Sequence, residues 1–407
     1  MQRHCEDFEK KGELKRLHLT KEEERIYDGE FGWANQICMK ILVRLGELFN
    51  ATKLIPISSA HVSGVSYKTL GDAPTDFLEA IANAGVKTSV KATLNPHGID
   101  KEYLCKKLSS DICKKQWQIL EYFNKMGFKN SLTCTPYYLE KPRHGAHLAW
   151  AESSAVVYAN SVIGAWTNRE GGPSALAAAI IGKTPDYGVH KTENRQPKVL
   201  VNVETSLRNE TEFGALGIFL GKILEDKIPV IQGLQGASQD HLKQLGASLA
   251  STGMVNMFYR NNRKVKVNEL EKISVEKEDI RRAMEELTTT ATQKPDLIFI
   301  GCPHCSLREI RQIADCIGTR KVKAETELWI CISRFIKEKA WKYTEKIEQS
   351  GAHIITDTCA VVTWTDKLGI KTIMTNSAKT AHYAPTLNKA EMTLTPLKDC
   401  LETAFKG

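Results

Sequence analysis

Three cysteines of this sequence follow short apolar segments that have the composition of β-strands. Cys134, Cys302 and Cys359 each come directly after such a segment, as Cys302 does after Leu297–Ile300. Ligands bind beyond the carboxyl ends of the strands in open α/β sheets, so these thiols could meet in one crevice. Three thiolates suit an iron–sulfur cluster that leaves one iron open to substrate as a Lewis acid. The alternative is that each is a small core residue, as most buried cysteines are.

A C-x-x-C motif formed by Cys302 and Cys305 indicates a different chemistry. Such a pair at the start of a helix lowers the pKa of the first thiol, as in disulfide oxidoreductases. Ser306 and Glu309 predict a helix start here, because they fit a capping box. However, the motif follows about three hundred residues, whereas a thioredoxin-like domain places it early. A zinc site is disfavoured, since the sequence has no second C-x-x-C.

Polar residues also follow other predicted strands. The hydroxyl-rich segment 58–66 lies between a strand and a helix, where amides and hydroxyls can bind a carboxylate or phosphate. Asn95 lies in another strand-end turn, and Lys379 follows the apolar segment 372–374. Glu152 lies near the start of an apolar run, where a carboxylate is costly unless it is paired or used. Ordinary connections remain an alternative reading of these loops.

The elements that must position these residues alternate between helices and strands. Thr20 and Glu23 form a capping box that opens the first helical region, and Gly182 is expected to end the helix begun by Pro173. Helical character is predicted over residues 20–50, 74–84, 173–182 and 260–293. Strands are predicted over residues 54–57, 86–93, 198–201, 297–300, 354–355 and 372–374. The alternation predicts an α/β fold with parallel or mixed sheets covered by helices.

The composition limits the class of protein. With 407 residues, 42% of them hydrophobic, the chain is expected to form two or three lobes, and residues 50–205 and 206–400 are predicted to be two of them. No segment has the roughly 18 apolar residues that cross a bilayer, and the start lacks a signal-peptide core, so a cytoplasmic location is predicted. A net charge of +8 without a long basic tract favours an anionic small molecule over nucleic acid. Eleven cysteines in 407 residues are too few for a disulfide framework, and an odd number cannot all be paired.

Taken together, these motifs resemble the aconitase X family. The ordered blocks run from about residue 17 to the C-terminus and read ISSAHVSGVS (57–66), TCTPY (133–137), WAESSA (150–155), TNREGGPS (167–174), GCPH (301–304), DTC (357–359) and NSAK (376–379). The resemblance implies a catalytic module over residues 17–400 with an aconitase-like, multi-lobe α/β fold. In that fold strands alternate with helices, and the active site lies at the carboxyl ends of the strands.

The resemblance also implies the composition of the site. It implies a [4Fe–4S] cluster held by Cys134, Cys302 and Cys359, with Cys305 as a bystander. The substrate contacts that it implies are Gly64, Val65, Ser66, Asn95, Pro96, Glu152, Ser153 and Lys379. Glu152 and Lys379 among these are expected to be catalytic. The swivelling domain, with an active-site serine, is expected on a separate small subunit, so that the enzyme is a heterodimer or a larger assembly.

The activity implied by the resemblance is that of a hydro-lyase with an anionic small-molecule substrate. Within the family, the resemblance is strongest to the branch that dehydrates (R)-5-phosphomevalonate to trans-anhydromevalonate 5-phosphate in the mevalonate pathway of isoprenoid biosynthesis. No nucleic-acid or membrane partner is expected. Dehydration of cis-3-hydroxy-L-proline is the alternative within the family. A thiol-disulfide oxidoreductase based on Cys302 and Cys305, or a scaffold without catalysis, stays open outside it.

Overall fold

The computed structural model describes residues 17–129, 131–260, 269–292 and 294–405. Its helices are α1 (Lys21–Asp28), α2 (Trp33–Leu48), α3 (Tyr67–Leu70), α4 (Asp72–Asn83), α5 (Ser110–Lys125), α6 (Ser153–Tyr158), α7 (Gly172–Ile181), α8 (Glu210–Leu224), α9 (Gln239–Thr252), α10 (Lys277–Glu286), α11 (Leu307–Ile317), α12 (Arg334–Lys339), α13 (Trp341–Gln349), α14 (Ala378–Asn388) and α15 (Leu397–Phe405). Its strands are β1 (Leu54–Pro56), β2 (Ser59–Val62), β3 (Lys91–Leu94), β4 (Leu148–Trp150), β5 (Lys183–Pro185), β6 (Val199–Val203), β7 (Pro229–Gln232), β8 (Tyr259–Arg260), β9 (Glu271–Val275), β10 (Leu297–Ile300), β11 (Glu327–Ile332), β12 (His353–Thr356), β13 (Thr372–Thr375) and β14 (Glu391–Leu394).

The helical region at the start of the described chain consists of two helices. The predicted capping box opens α1, since Glu23 N donates to Thr20 Oγ1 at 3.3 Å and Thr20 N donates to Glu23 Oε2 at 2.7 Å. Gly29 ends α1 with φ 95°, and Gly32 precedes α2 with φ 89°. These positive φ values favour glycine and break the helix that the apolar spacing alone suggests.

The first sheet carries the loops that begin at Ser63, Asn95 and Ala151. Strands β2, β3 and β4 pair in parallel in the order β3-β2-β4. One face of the sheet, which includes Ala60 and Val62, packs into a hydrophobic core with α2, α4, α5 and α7. Because the strands are parallel, their carboxyl ends lie on the same side of the sheet, and the three loops begin there.

The last third of the chain forms a five-stranded parallel sheet in the order β12-β11-β10-β13-β14. Side chains of β10 alternate between two separate cores, Leu297 and Phe299 in one, Ile298 and Ile300 in the other. Burial on both faces explains the continuous apolar run, which is typical of parallel strands covered by helices. The predicted strands over 297–300, 354–355 and 372–374 are confirmed, while β11, between β10 and β12, had not been predicted.

A third parallel sheet, in the order β8-β7-β6-β9, lies between these two in sequence and packs against α8 and α9. The helix predicted over 260–293 is confirmed for α10 only. Residues 261–268 and 293 lie outside the described residues, and 271–275 form the strand β9 rather than a helix. Most side chains of β9 are exposed or half-buried at the edge of the sheet, and their charges made this segment resemble a solvated helix.

The alternation of strands and helices confirms the predicted α/β fold class. Whether the chain divides into lobes at 50–205 and 206–400 stays a prediction. Across the described ranges, no helix has both the length and the apolar character that a bilayer crossing requires. The cytoplasmic location also stays a prediction.

A buried ion pair joins the middle of the chain to its last third. Lys243 on α9 donates to Glu309 on α11 and, at 3.2 Å, to the carbonyl oxygen of His304, and its side chain is only 1% exposed. Burial lowers the pKa of Lys243, but the negative groups around it, Glu309 first, raise it overall. The amine therefore stays charged and compensates the buried carboxylate.

We expect Lys243→Met to lower the free energy of unfolding by about 3 to 5 kcal/mol, because Glu309 would be left as an unpaired buried charge. The double variant Lys243→Met/Glu309→Gln should recover most of this loss, since glutamine keeps the helix cap without a charge. Urea unfolding followed by circular dichroism measures both. A single variant as stable as the unmodified chain would show that the pair contributes nothing.

Candidate active site

A cavity of about 210 Å³ lies where the carboxyl ends of the first and last sheets meet. Eight of the residues predicted from the sequence line it, namely Asn95, Pro96, Cys134, Glu152, Ser153, Cys302, Cys359 and Lys379. Asn95 and Pro96 follow β3, and Glu152 and Ser153 follow β4. Cys302, Cys359 and Lys379 follow β10, β12 and β13. The cavity therefore collects loops from strand ends that are distant in sequence, as parallel sheets do.

Cys302 reaches the cavity because the chain turns immediately after β10. The turn is at Gly301, which has φ 109°, and a Cβ atom there would lie 2.4 Å from the carbonyl oxygen of Cys331. Only glycine fits this close approach to β11. The hydroxyl of Ser377 donates to the carbonyl oxygen of Cys302 at 2.5 Å, which fixes the β10 loop against the start of α14.

Cys134 reaches the cavity without a preceding strand, which corrects the sequence interpretation. Leu132 makes a single isolated parallel bridge to Leu94 at the end of β3, and Thr133 N donates to the carbonyl oxygen of Leu94 at 3.0 Å. Because the segment makes only this one bridge, it is a loop beside the sheet and not a strand. Cys134 is nevertheless brought to the same end of β3 as Asn95.

His304 holds the three cysteine segments together. Its Nε2 lies 3.1 Å from the carbonyl oxygen of Thr358, its Nδ1 lies 3.1 Å from Thr133 Oγ1, and its backbone N lies 3.2 Å from Cys134 Sγ. A carbonyl only accepts, so Nε2 carries the proton and Nδ1 accepts from the threonine hydroxyl. Burial lowers the pKa of His304 to about 4, so the ring is a neutral structural link at neutral pH.

Cys305 does not share the cavity with Cys302. Its side chain is buried in the apolar core beside Ile310 and Ile330, and its N–H donates to the carbonyl oxygen of Cys331 at 3.0 Å. Burial raises the pKa of Cys305 well above the usual value. Thiol exchange needs an accessible thiolate. The geometry therefore disfavours the oxidoreductase alternative.

Glu152 and Lys379 form an ion pair in the wall of the cavity. Lys379 Nζ donates to Glu152 Oε1 at 2.5 Å, and Asn95 Nδ2 donates to Glu152 Oε2 at 2.8 Å. Burial alone would raise the pKa of Glu152, but the charge of Lys379 and the hydrogen bonds lower it to about 2. Burial lowers the pKa of Lys379, and the charges of Glu152 and Cys302 then raise it overall. Both groups are charged at neutral pH.

The predicted contacts Gly64, Val65 and Ser66 lie beside the cavity and not in its wall. Ser66 Oγ donates to the carbonyl oxygen of Val362 at 2.9 Å, and Val362 does line the cavity. Gln116 of α5 links this loop to the next, because its Nε2 donates to the carbonyl oxygen of Val65 and its Oε1 accepts from Gly98 N, at 2.9 and 3.0 Å. Helix α5 thus supports both loops.

Four residues of the wall were not predicted from the sequence: Val361, Val362, Tyr383 and Leu387. Helical spacing could have identified two of them, since Tyr383 and Leu387 follow Lys379 by four and eight residues on α14 and share its face. Val361 and Val362 lie in an irregular loop after Cys359, and apolar residues in a loop carry no comparable signal.

The donor set of the cavity fits an iron–sulfur cluster better than a single metal ion. Among the described residues, no three His, Cys, Asp or Glu side chains converge on one ion. A cubane cluster differs, because each thiolate binds a separate iron and the sulfurs must surround a space. Cys134, Cys302 and Cys359 surround the cavity, and the negative charges of Glu152, Cys302 and Cys359 add to burial in raising the pKa of Cys134. Nearby positive charge, from Lys379 and from a cluster, favours the thiolates.

Known proteins match this chain over nearly its whole length. Models of the aconitase X first, second and third domains match residues 16–193, 197–285 and 295–406. A Methanocaldococcus jannaschii protein named phosphomevalonate dehydratase large subunit is 46% identical over 95% of this chain and 100% of its own length. The chain belongs to the aconitase X family. The expected aconitase X resemblance is confirmed.

A solved structure and a more distant relative are also similar to this chain. The crystal structure of aconitase X from Thermococcus kodakaraensis, in its holo-form, has a TM-score of 0.89 and 41% identity, and covers 95% of this chain and 100% of its own. This match confirms the aconitase-like fold. A Pseudomonas aeruginosa aconitase X relative named cis-3-hydroxy-L-proline dehydratase is 31% identical over 95% of this chain, which spans 69% of that protein.

Proposed function

We propose that this chain is the large subunit of a hydro-lyase that dehydrates (R)-5-phosphomevalonate to trans-anhydromevalonate 5-phosphate, a step of isoprenoid biosynthesis. The observation that carries the proposal is the single cavity in which three cysteines meet the ion pair of Glu152 and Lys379. The substrate is proposed from the Methanocaldococcus jannaschii relative, which is more similar to this chain than the hydroxyproline dehydratase from Pseudomonas aeruginosa.

We propose that Cys134, Cys302 and Cys359 hold a [4Fe–4S] cluster, with one iron left without a cysteine. These are the cysteines that line the cavity within the described ranges, while the buried Cys305 and Cys331 lie outside it. Iron bound to sulfur ligands alone would be closed to substrate, so a fourth cysteine is not expected. When bound, the cluster supplies the Lewis acidity that assists departure of the tertiary hydroxyl.

We propose that Lys379 binds the carboxylate on which negative charge accumulates as the C2 proton leaves. Its side chain lines the cavity and is only 12% exposed, so water screens its charge weakly. Asn95 and Lys379 both bond Glu152, which fixes the ammonium group before substrate arrives. A preorganised charge of this kind costs no reorganisation during the reaction.

We propose that Glu152 contributes to the reaction by positioning Lys379. A general base works best with a pKa near the operating pH, and the pKa of Glu152 is lowered to about 2. It is therefore a poor acceptor for the weakly acidic C2 proton. We propose that a serine of the small subunit takes this proton, and that Glu152 keeps Lys379 and Asn95 in place.

The remaining proposed contacts position the substrate. Pro96 and Ser153 line the cavity next to Asn95 and Glu152. Gly64, Val65 and Ser66 form the neighbouring loop, and we propose that they bind an anionic group of the substrate through main-chain amides, while the Ser66 hydroxyl holds the loop to Val362. Gln116 keeps this loop and the Asn95 loop at a fixed separation.

We propose that the complete enzyme contains a small subunit that carries the swivelling domain, as a heterodimer or a larger assembly. Three observations support a separate chain. The similar archaeal proteins are named large subunits, and the hydroxyproline dehydratases, which this chain spans to only 69%, contain further sequence. The cavity is also open at Leu387, whose side chain is 42% exposed, so another chain can close it.

The assignment is tested by anaerobic co-expression with the small subunit, followed by an assay that offers phosphomevalonate and cis-3-hydroxy-L-proline in parallel. We expect dehydration of phosphomevalonate, detected by mass spectrometry as loss of one water, and no change in hydroxyproline. Turnover of hydroxyproline alone would assign the chain to the other activity of the family. A complex that binds the cluster but converts neither compound would contradict both assignments.

A further inference from the structure

Two cysteines away from the cavity lie almost in bonding contact. The sulfur atoms of Cys105 and Cys113 are 3.0 Å apart, about 1 Å more than the length of a disulfide bond. Cys113 Sγ also lies 3.4 Å from the carbonyl oxygen of Cys105. The structure thus shows a paired dithiol, of which Cys113 is buried and Cys105 is half-buried.

The pair joins two elements that support the candidate active site. Cys105 lies in a short turn whose preceding amides, including Leu104 N at 2.6 Å, donate to the carboxylate of Asp100. This turn follows the loop that contains Asn95. Cys113 lies in the first turn of α5, three residues before Gln116, which binds the Gly98 amide. A bond between the two sulfurs would tie α5 to the chain that leaves the Asn95 loop.

We propose that Cys105 and Cys113 form a reversible disulfide that restrains the Asn95 loop against α5. The cross-link closes a loop of nine residues, and the backbone on both sides is already held by hydrogen bonds of Asp100 and of the Ser109 helix cap. The sulfurs need to approach by only about 1 Å. The proposal is independent of the dehydration chemistry, since neither sulfur lines the cavity.

The oxidant is a low-molecular-weight disulfide such as glutathione disulfide. The thiolate of Cys105, which solvent reaches, attacks one sulfur of glutathione disulfide and releases a first glutathione thiolate. Cys113 then loses its proton and attacks the Cys105 sulfur of the mixed disulfide, which releases the second glutathione. Two protein thiols are oxidised by two electrons, and one glutathione disulfide is reduced to two glutathione thiols.

The chain provides a control for this exchange in Cys316, which is exposed. We treat the cluster-loaded complex anaerobically with glutathione disulfide, block the remaining thiols and map the peptides by mass spectrometry. We expect a cross-linked peptide that contains Cys105 and Cys113, and a stable glutathione adduct on Cys316. In Cys113→Ser, Cys105 should retain glutathione because no neighbouring thiol displaces it. Recovery of Cys105 and Cys113 as free thiols or glutathione adducts in the unmodified chain would refute the disulfide.

Amide hydrogen exchange tests the structural consequence separately. Oxidation should slow exchange in residues 97–108 on the order of tenfold, because the cross-link limits local opening of this segment. The Cys105→Ser variant, treated in the same way, should show no slowing. A cross-link that forms without any change in exchange would refute the proposed restraint, even though the disulfide exists.

Discussion

Alanine at Cys134, Cys302 or Cys359 is expected to reduce phosphomevalonate dehydration at least about a thousandfold. Each substitution removes one of the three thiols that surround the cavity and so one ligand of the proposed cluster. A Lewis acid contributes several kcal/mol to the departure of a poor leaving group, and its loss has a correspondingly large effect on rate. Iron and sulfide content and the visible absorbance of the anaerobically purified chain should fall in the same three variants.

Cys305→Ala and Cys331→Ala are the matched controls. Both cysteines are buried, and both lie close enough to interact electrostatically with the cavity cysteines. Neither side chain lines the cavity. We expect both variants to keep the chromophore and most of the activity. Loss of activity in Cys305→Ala with an intact chromophore would favour the thiol-disulfide alternative. Full activity in any of the three cavity variants would refute the proposed ligand set.

Lys379→Met is expected to lower kcat/KM by about a hundredfold to a thousandfold, in the range of other losses of a preorganised charge donor. The cluster content should be unchanged, since Lys379 is not a proposed ligand. The double variant Glu152→Gln/Lys379→Met should recover stability lost by leaving Glu152 unpaired, but not activity. Lys183→Met is the control, because Lys183 forms a similar ion pair with the buried Glu23 at 2.6 Å, away from the cavity.

The loss of kcat/KM in Lys379→Met should be the same at every pH between about 6 and 9, because Glu152 and Lys379 both stay charged over this range. The folded pKa of Glu152 is lowered to about 2, so its contribution to stability is present above its unfolded pKa of about 4.3 and is lost only as the pH falls towards 2. The pKa of Lys379 is raised, so its contribution is present below about 10.4 and is lost at higher pH. A loss that varies strongly over this range would show that one of these groups titrates during catalysis.

The general position of the site could be predicted from the sequence because parallel strands place their carboxyl ends together. Cys302, Cys359 and Lys379 were predicted from the apolar runs before them, and all three line one cavity. The pairing of Lys379 with Glu152 could not be predicted. The two residues are 227 positions apart, and only the packing of the first sheet against the last brings them together.

Local signals were reliable where one residue determines the backbone. The capping boxes at Thr20 and Ser306 and the helix end at Gly182 are confirmed. Short apolar runs were less informative, since the buried strand β11 has the composition of either a strand or a buried helix. The loop that carries Cys134 was wrongly predicted to follow a strand, because one bridge at a sheet edge has no sequence signature.

The division of the cavity between the first and last sheets has a consequence for biosynthesis. Cys134 leaves the ribosome long before Cys359, and the whole sheet formed by β6 to β9 is made between them. A nascent chain that has not yet reached Cys359 therefore lacks part of the set. Any group that all three cysteines hold can be completed only after the last sheet is made, and it then links the first sheet to the last. Delivery of that group, together with folding, then decides when the chain becomes competent.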